Sequence, residues 1–302
     1  MDHEAESPVR QTQTYLRHLF QERGLRPKNK LGQNFLVDLN LIDFIVKNAE
    51  LTREDMVLEV GTGTGSLTAA LADQAGAVLS VEIDAAFHDL VQETLGHQAH
   101  VQFFHGDILK NKNHLNPHVL EKLHAGRARF EGKHLKLVAN LPYVVATPVI
   151  SNLILSDLSF ERMVVTVQWE IAERLMARPG TKDYGALAVL MQSLADIELL
   201  RKLPPTVFWP RPQVASAIIR IWPRADKRCL VPDPLHFRHF LRDLYAHRRK
   251  NLRGGLVSLP DKPWDKPEVD RKLAQLGLDG NCRAETLDLS THLRLCQAFG
   301  SK

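Results

Sequence analysis

The sequence predicts an α/β protein: a mostly parallel, doubly wound sheet within residues 1–224, followed by a small all-α domain over 225–302. Three observations predict it. Apolar runs at Met56–Val60, Val78–Val81 and Val101–Phe104 alternate with helical-period segments, a βαβαβ rhythm with short connections. Gly61-Thr62-Gly63-Thr64-Gly65 joins the first of those strands to its helix. Past Pro223 the strand signal vanishes and only 3.6-period segments follow.

Each element has a local reason. Residues 1–24 read as a helical arm with Leu16, Leu19 and Phe20 on one face and Gly24 ending it; with the irregular stretch to Leu36 they form an N-terminal arm, 1–36. Asp38 caps a helix carrying Leu41, Ile42, Ile45, Val46 and Ala49. After the glycine-rich turn a helix runs from Ser66 to Ala75, closed by Gly76. The strand Val78–Val81 ends at Glu82-Ile83-Asp84, and a helix follows through Phe87, Leu90, Val91 and Leu95. The next strand ends at Gly106-Asp107. Residues 111–134, rich in His, Lys and Asn, read as a surface excursion with one short helix around Val119–Leu123.

Leu137-Val138-Ala139 is a buried strand that runs into Asn140-Leu141-Pro142-Tyr143. A helix spans Thr147–Leu155, a strand Met163–Val167, and helices Gln168–Ala177 and Tyr184–Ala195. Leu199–Leu203 and Ala217–Ile221 read as a closing strand pair, linked by the stiff aromatic stretch Pro204–Pro212. In the last domain, Phe237, Phe240, Leu241, Leu244 and Tyr245 lie on one helix. Val269, Leu273 and Leu276 mark another, stopped by Gly277, and Ser290 caps a third through Leu293, Cys296 and Phe299.

Composition bounds the reading. The chain has 302 residues, 44% hydrophobic and 25% charged, ordinary for a globular protein with a sizeable core. No apolar run approaches the roughly 18 residues of a membrane span, and Met1-Asp2-His3-Glu4 is no signal peptide, so a cytoplasmic chain with no membrane partner is expected. Cys229, Cys282 and Cys296 stand in no metal or disulfide spacing. His114, His118 and His124 lack an accompanying Cys or acidic cluster, so no metal is expected. Net charge is +4, unevenly spread. Arg220–Gly254 holds ten Lys or Arg against three Asp or Glu, a local +7, leaving about −3 for the rest. Such a region is either a phosphate-facing surface or a solvated helix face.

Strand, glycine-rich turn and helix form a nucleotide-cofactor cradle. The spacing G-x-G-x-G departs from the dinucleotide pattern, although a NAD site stays open on these residues alone. Glu59 just before Gly61, Gly63 and Gly65 disfavours a pyrophosphate and suits the ammonium of S-adenosyl-L-methionine. Glu82 stands where an acid takes ribose hydroxyls. Asp107 can take the adenine amine, with Ile83 and Ile108 flanking the ring. At the Asn140 strand end, an amide oxygen, rigid carbonyls and a flat ring suit a planar amine such as adenine N6; a strand-end turn with a packed Tyr is the bland alternative.

With these pieces in order, the chain resembles the KsgA family of small-subunit rRNA adenine N6,N6-dimethyltransferases, from about Pro27 to Phe299. Pro27–Leu36, Leu58–Gly65, Val81–Asp84, Gly106-Asp107, Asn140–Tyr143, Gln168–Arg174, Phe208–Pro212, His247–Arg253 and Arg283-Ala284-Glu285 match its motifs in sequence. The resemblance implies a Rossmann-like class I S-adenosylmethionine-dependent methyltransferase domain. It places Gln33, Asn34 and Leu36 at the cofactor and Phe208 against the target base. It implies two adjacent adenosines in the 3′-terminal hairpin of 16S-type rRNA as substrate, the small ribosomal subunit as partner and a role in subunit biogenesis; a monomer is expected, although the sequence does not settle oligomeric state. The chain departs from the family pattern at the longer 111–134 connection, Trp169, Ala215 and Tyr245.

The expected chemistry is methyl transfer to N6. Asn140 Oδ1 and the Leu141 carbonyl would accept the two N6–H bonds, Pro142 would stiffen the turn, and Tyr143 and Phe208 would stack on either face of the base. Arg248, Arg249, Lys250 and Arg253 are expected to hold RNA phosphates, with Arg26, Lys28 and Lys30 as a second anchor. The rivals are a large-subunit rRNA methyltransferase, a DNA adenine methyltransferase and a binding protein that kept the fold without the activity.

Overall fold

The computed structural model describes residues 11–129, 134–260 and 264–300. Residues 1–10 of the expected arm, 130–133 of the expected excursion, and 261–263 and 301–302 of the expected helical domain lie outside the described residues. The chain divides into two compact units, Met1–Trp169 with Glu198–Trp222, and Glu170–Ile197 with Pro223–Lys302.

The first unit holds α1 (Gln13–Glu22), β1 (Phe35–Leu36), α2 (Leu39–Ala49), β2 (Met56–Val60), α3 (Ser66–Ala72), β3 (Ala77–Glu82), α4 (Ala85–Leu95) and β4 (Val101–His105). Next come β5 (Leu109–Asn111), β6 (His114–Leu115), α5 (Pro117–Arg129), β7 (Leu135–Asn140), α6 (Ala146–Leu155) and β8 (Phe160–Gln168). Helices α7 (Trp169–Leu175) and α8 (Ala186–Gln192) lead into β9 (Ala195–Leu203), β10 (Phe208–Trp209) and β11 (Ser216–Pro223). The chain ends with α9 (Ala225–Cys229), α10 (Pro234–Tyr245), α11 (Leu252–Val257), α12 (Lys266–Leu276) and α13 (Leu289–Phe299).

Seven strands form one sheet in the order β4-β3-β2-β7-β8-β11-β9. Neighbours from β4 to β8 run parallel, and β11 is antiparallel to β8, so the mostly parallel sheet is as expected. The α2 face shows why it forms. Asp38 accepts from Asn40 N at 3.0 Å, and Leu41, Ile42, Ile45, Val46 and Ala49 are all buried. They pack with Val57, Val78, Val138 and Val164 of the central strands. Each such Leu, Ile or Val side chain contributes about 1.5–3 kcal/mol.

Several expectations are corrected. Residues 111–129 are not a solvated excursion. They contain α5, whose Val119 and Leu123 are fully buried, and α5 packs against β2 and β3. A parallel connection from β4 to β7 needs such a crossover helix. Weak apolar periodicity and Gly126 conceal it; a Cβ at Gly126 would lie 2.4 Å from Met56 Cε. Helix α3 stops at Ala72, because Arg53 binds the Ala72, Asp73 and Ala75 carbonyls at 3.1, 2.7 and 2.9 Å. The N-cap of α13 is Asp288, which accepts from Thr291 N at 2.7 Å; Ser290 only donates to Asp288. Helix α11, capped by Asn251, and the pair β1–β10 have no counterpart in the sequence reading. A single cut at 224 also differs from the observed units, because α8 packs on α10 and α13.

Candidate active site

The winding of the sheet reverses between β2 and β7, with β3 and β4 on one side and β8 on the other. Open α/β sheets bind ligands beyond the carboxyl ends of such strands. Here that crevice is a cavity of about 250 Å³ within the first unit. Its walls bring together Gln33, Asn34 and Leu36, Glu59 to Gly63, Glu82 and Ile83, Asp107 and Ile108, and Asn140 to Tyr143. Gly61 has φ +85°, and a Cβ on it would lie 3.0 Å from Pro142 ring carbons. The glycine-rich turn and the Asn140 turn, far apart in sequence, therefore pack on each other. A Cβ on Gly63 would lie 3.1 Å from Phe35. These two glycines make room for protein as well as for a ligand. Gly65 is not among the lining residues.

The acids are differently held. Glu59 is 1% exposed. Its Oε2 accepts from the Thr68 and Ser80 hydroxyls, both at 2.6 Å, while its buried Oε1 has no partner among the described residues. Burial pushes its pKa up to about 8, against the pull of the two hydroxyls. Glu82, raised by burial, accepts from Gly63 N and Asp84 N, each at 2.9 Å. Asp107 is exposed and accepts from Leu109 N at 2.9 Å. Ile83 is 44% exposed and Ile108 buried, so the two apolar side chains differ in access.

Asn140 Nδ2 donates to the Asn34 carbonyl at 2.9 Å. That bond assigns the amide and leaves Oδ1 as an acceptor without a donor among the described residues. No described backbone amide donates to the Leu141 carbonyl, whereas the Pro142 carbonyl accepts Val145 N at 3.0 Å. Tyr143, half-buried, meets the Ser216 hydroxyl at 2.5 Å, which ties its ring to β11. Burial raises the Tyr143 phenol, keeping it neutral.

Some expected residues fall elsewhere. Phe208 is 3% exposed, pairs with Leu36 across β1–β10 and belongs to the core, not to the cavity wall. Its apolar ring is worth more there than at a wet rim. Lys28 binds Asp84 at 2.9 Å, and Gln33 donates to the same carboxylate at 3.0 Å. Burial alone would raise Asp84, but these two donors hold it below the usual carboxylate value. Arg26 and Lys30 are exposed. Within the second unit, Arg248 binds Glu285 at 2.7 Å and the Lys182 and Tyr184 carbonyls, Arg253 pairs with Asp270, and Lys250 donates to Ser258 at 2.7 Å. The basic run is thus largely a framework of its own unit; Arg249 stays exposed without an ion pair among the described residues. The sequence reading missed Ser216, Ser80 and Thr68, and also Gln11. Gln11 donates to Thr64 O at 2.9 Å and accepts from the Ser66 hydroxyl at 2.5 Å. Nothing local marks these residues, since each acts on another element or turn.

Among the described residues no group of His, Cys, Asp and Glu could hold a metal, and no helix is long and apolar enough to cross a membrane. A family model described as ribosomal RNA adenine dimethylase matches residues 24–286. The chain is 40% identical to the "Ribosomal RNA small subunit methyltransferase A" of Ligilactobacillus salivarius, over 95% of this chain and 94% of that protein. It is 38% identical to the protein of the same name from Geobacillus kaustophilus, over 94% of each. In fold it is similar to a dimethyladenosine transferase from Plasmodium falciparum (TM-score 0.70, 22% identity, 87% of this chain and 96% of that one). It is also similar in fold to the 23S rRNA methyltransferase ErmE (TM-score 0.60, 24% identity, 88% and 99%).

Proposed function

The chain belongs to the ribosomal RNA adenine dimethylase family, and from that premise we propose how it acts. It is an S-adenosylmethionine-dependent methyltransferase that dimethylates adenines of small-subunit rRNA. The finer reading is that its targets are two adjacent adenosines of the 3′-terminal hairpin, that it takes part in small-subunit biogenesis, and that it works as a cytoplasmic monomer.

The cavity fits the cofactor by its donor set. The unpartnered buried Glu59 Oε1 offers an ammonium its counter-charge, and Glu82 offers oxygens to ribose hydroxyls. Asp107 would accept from the adenine amine, with Ile83 and Ile108 in the same wall as apolar contacts for the ring. Bound S-adenosylmethionine supplies a methyl on a positively charged sulfur. The protein's own task is to make N6 of the target nucleophilic, because its lone pair is delocalised into the purine. In the first transfer Asn140 Oδ1 and the Leu141 carbonyl each accept one N6–H, and in the second the single remaining N6–H is held by one of them, which favours a pyramidal nitrogen with its lone pair exposed. These dipoles are fixed before reaction, by Asn34 O on one side and Pro142 on the other. Tyr143 holds one face of the splayed base. The amide and carbonyl are no bases, so the N6 proton leaves to water.

The observation that carries this reading is the tethered Asn140 amide with a free oxygen beside the Leu141 carbonyl, in the same cavity as Glu59, Glu82 and Asp107. Asn140→Ala should keep cofactor affinity within about threefold and lose about 10²–10³ in single-turnover rate. Unmodified small subunits, large subunits and duplex DNA, incubated with the protein and analysed as nucleosides by mass spectrometry, test the substrate. N6,N6-dimethyladenosine from the small subunit alone is expected; label in the large subunit instead overturns the reading.

A further inference from the structure

We infer that a groove between α1 and β10 is a second nucleotide-binding site for the same RNA, built around Trp209. The inference rests on the rRNA-methylating reading and extends it to a part of the substrate that does not react. The groove holds about 450 Å³ and is lined by Trp209, Phe20, Arg17 and Arg26 among others, with no acidic residue among the described residues of its wall. Trp209 is partly buried and rigidly placed. It pairs in register with Phe35, and its ring meets Phe20 edge-on at 4.9 Å and 70°.

Arg17 and Arg26 are exposed and form no ion pair or hydrogen bond with the described residues. Their neighbour Arg23, on the same arm, is by contrast neutralised by Glu93 at 2.8 Å. Two uncompensated guanidinium groups beside a fixed indole match one chemistry well. A base stacks on the ring while its phosphates meet the arginines. An acidic peptide would satisfy the charges but leave the indole without a planar partner. Position supports RNA as well. Phe35 and Leu36 line the cofactor cavity, and they are the β1 residues that pair with Trp209 and Phe208. One two-residue strand therefore separates the groove from the cavity, so a strand that delivers one splayed base to Tyr143 can lay a second on Trp209.

The test compares the full-length protein with an Arg17→Glu/Arg26→Glu double variant, Trp209→Leu and Trp209→Phe on unmodified small ribosomal subunits. Subunit affinity, single-turnover dimethylation and calorimetric cofactor affinity are read for each. Charge reversal should weaken subunit binding at least tenfold and Trp209→Leu about fivefold or more, while Trp209→Phe keeps most of it. Cofactor affinity should not move. Subunit affinity within twofold of the parent in the charge-reversed variant overturns the site, and this surface variant decides even if Trp209→Leu fails to fold. A parent protein that does not dimethylate the small subunit overturns the functional reading itself. An active parent with unaffected variants overturns the groove alone.

Discussion

Glu59 concentrates the energetics of the site in one residue. Its carboxyl, held at about 8 by burial, is mostly neutral in the cofactor-free protein at pH 7. Unfolding returns it to the ordinary value of 4.5. A raised folded pKa gives stability that is complete below 4.5 and is lost as pH rises to about 8. Glu59→Gln removes that loss, so the cofactor-free variant should melt higher than the parent at pH 8 and with it at pH 4. The same variant should bind S-adenosylmethionine more weakly. In the parent, an ammonium beside Glu59 favours the ionised form, so binding should release a proton at pH 7, seen by calorimetry in buffers of different ionisation heat. Equal melting curves, or no proton release, would show that Glu59 is not the responsible group. Ser216 poses a second question at this scale. Its hydroxyl orients Tyr143 at 2.5 Å, a bond of roughly 1 kcal/mol. Ser216→Ala and Tyr143→Phe should each lower kcat several-fold, and the double variant should be no worse than Tyr143→Phe alone. Additive losses would mean that the two residues act separately.

At the scale of elements, α5 is the sharpest case. Its polar surface reads as an insertion, yet Val119 and Leu123 are fully buried against the sheet. Leu123→Ala should cost about 2–4 kcal/mol in urea denaturation, as for a core cavity. A loss under about 0.5 kcal/mol would mark a surface segment instead. The pairing of β1 with β10 is the other element that local signals miss. Each strand is two residues long, and neither has reason to be extended without the other. Their pairing accounts for Phe208 turning into the core. The α2 helix is the opposite case, because its cap and five apolar positions are all local and all appear as read.

For the whole molecule, charge is the issue. Net charge is only +4, and six of the ten cations in Arg220–Gly254 form ion pairs among the described residues: Arg220, Arg224, Lys227, Arg242, Arg248 and Arg253. The cations assigned here to RNA and free of ion pairs are Arg17, Arg26, Lys30, Arg249 and Lys250. The log–log salt dependence of RNA affinity should then have a slope of roughly −3 to −5. A slope near −9 would return the whole basic run to the phosphates, and a flat one would remove these residues as well. Sequence alone determined the strand–turn–helix order, the Asp38 cap and most of the residues that line the cavity between Gln33 and Tyr143, because hydrophobic period and motif spacing are local properties. Tertiary structure alone decided which of the expected site residues remain available. Lys28 and Arg248 are spent on Asp84 and Glu285, Phe208 is withdrawn into the core, and Asn140 is turned by Asn34 O. The physical reason is that hydrogen-bond and ion partners are chosen by distance in space. A side chain's free valence depends on neighbours that its own stretch of sequence does not contain.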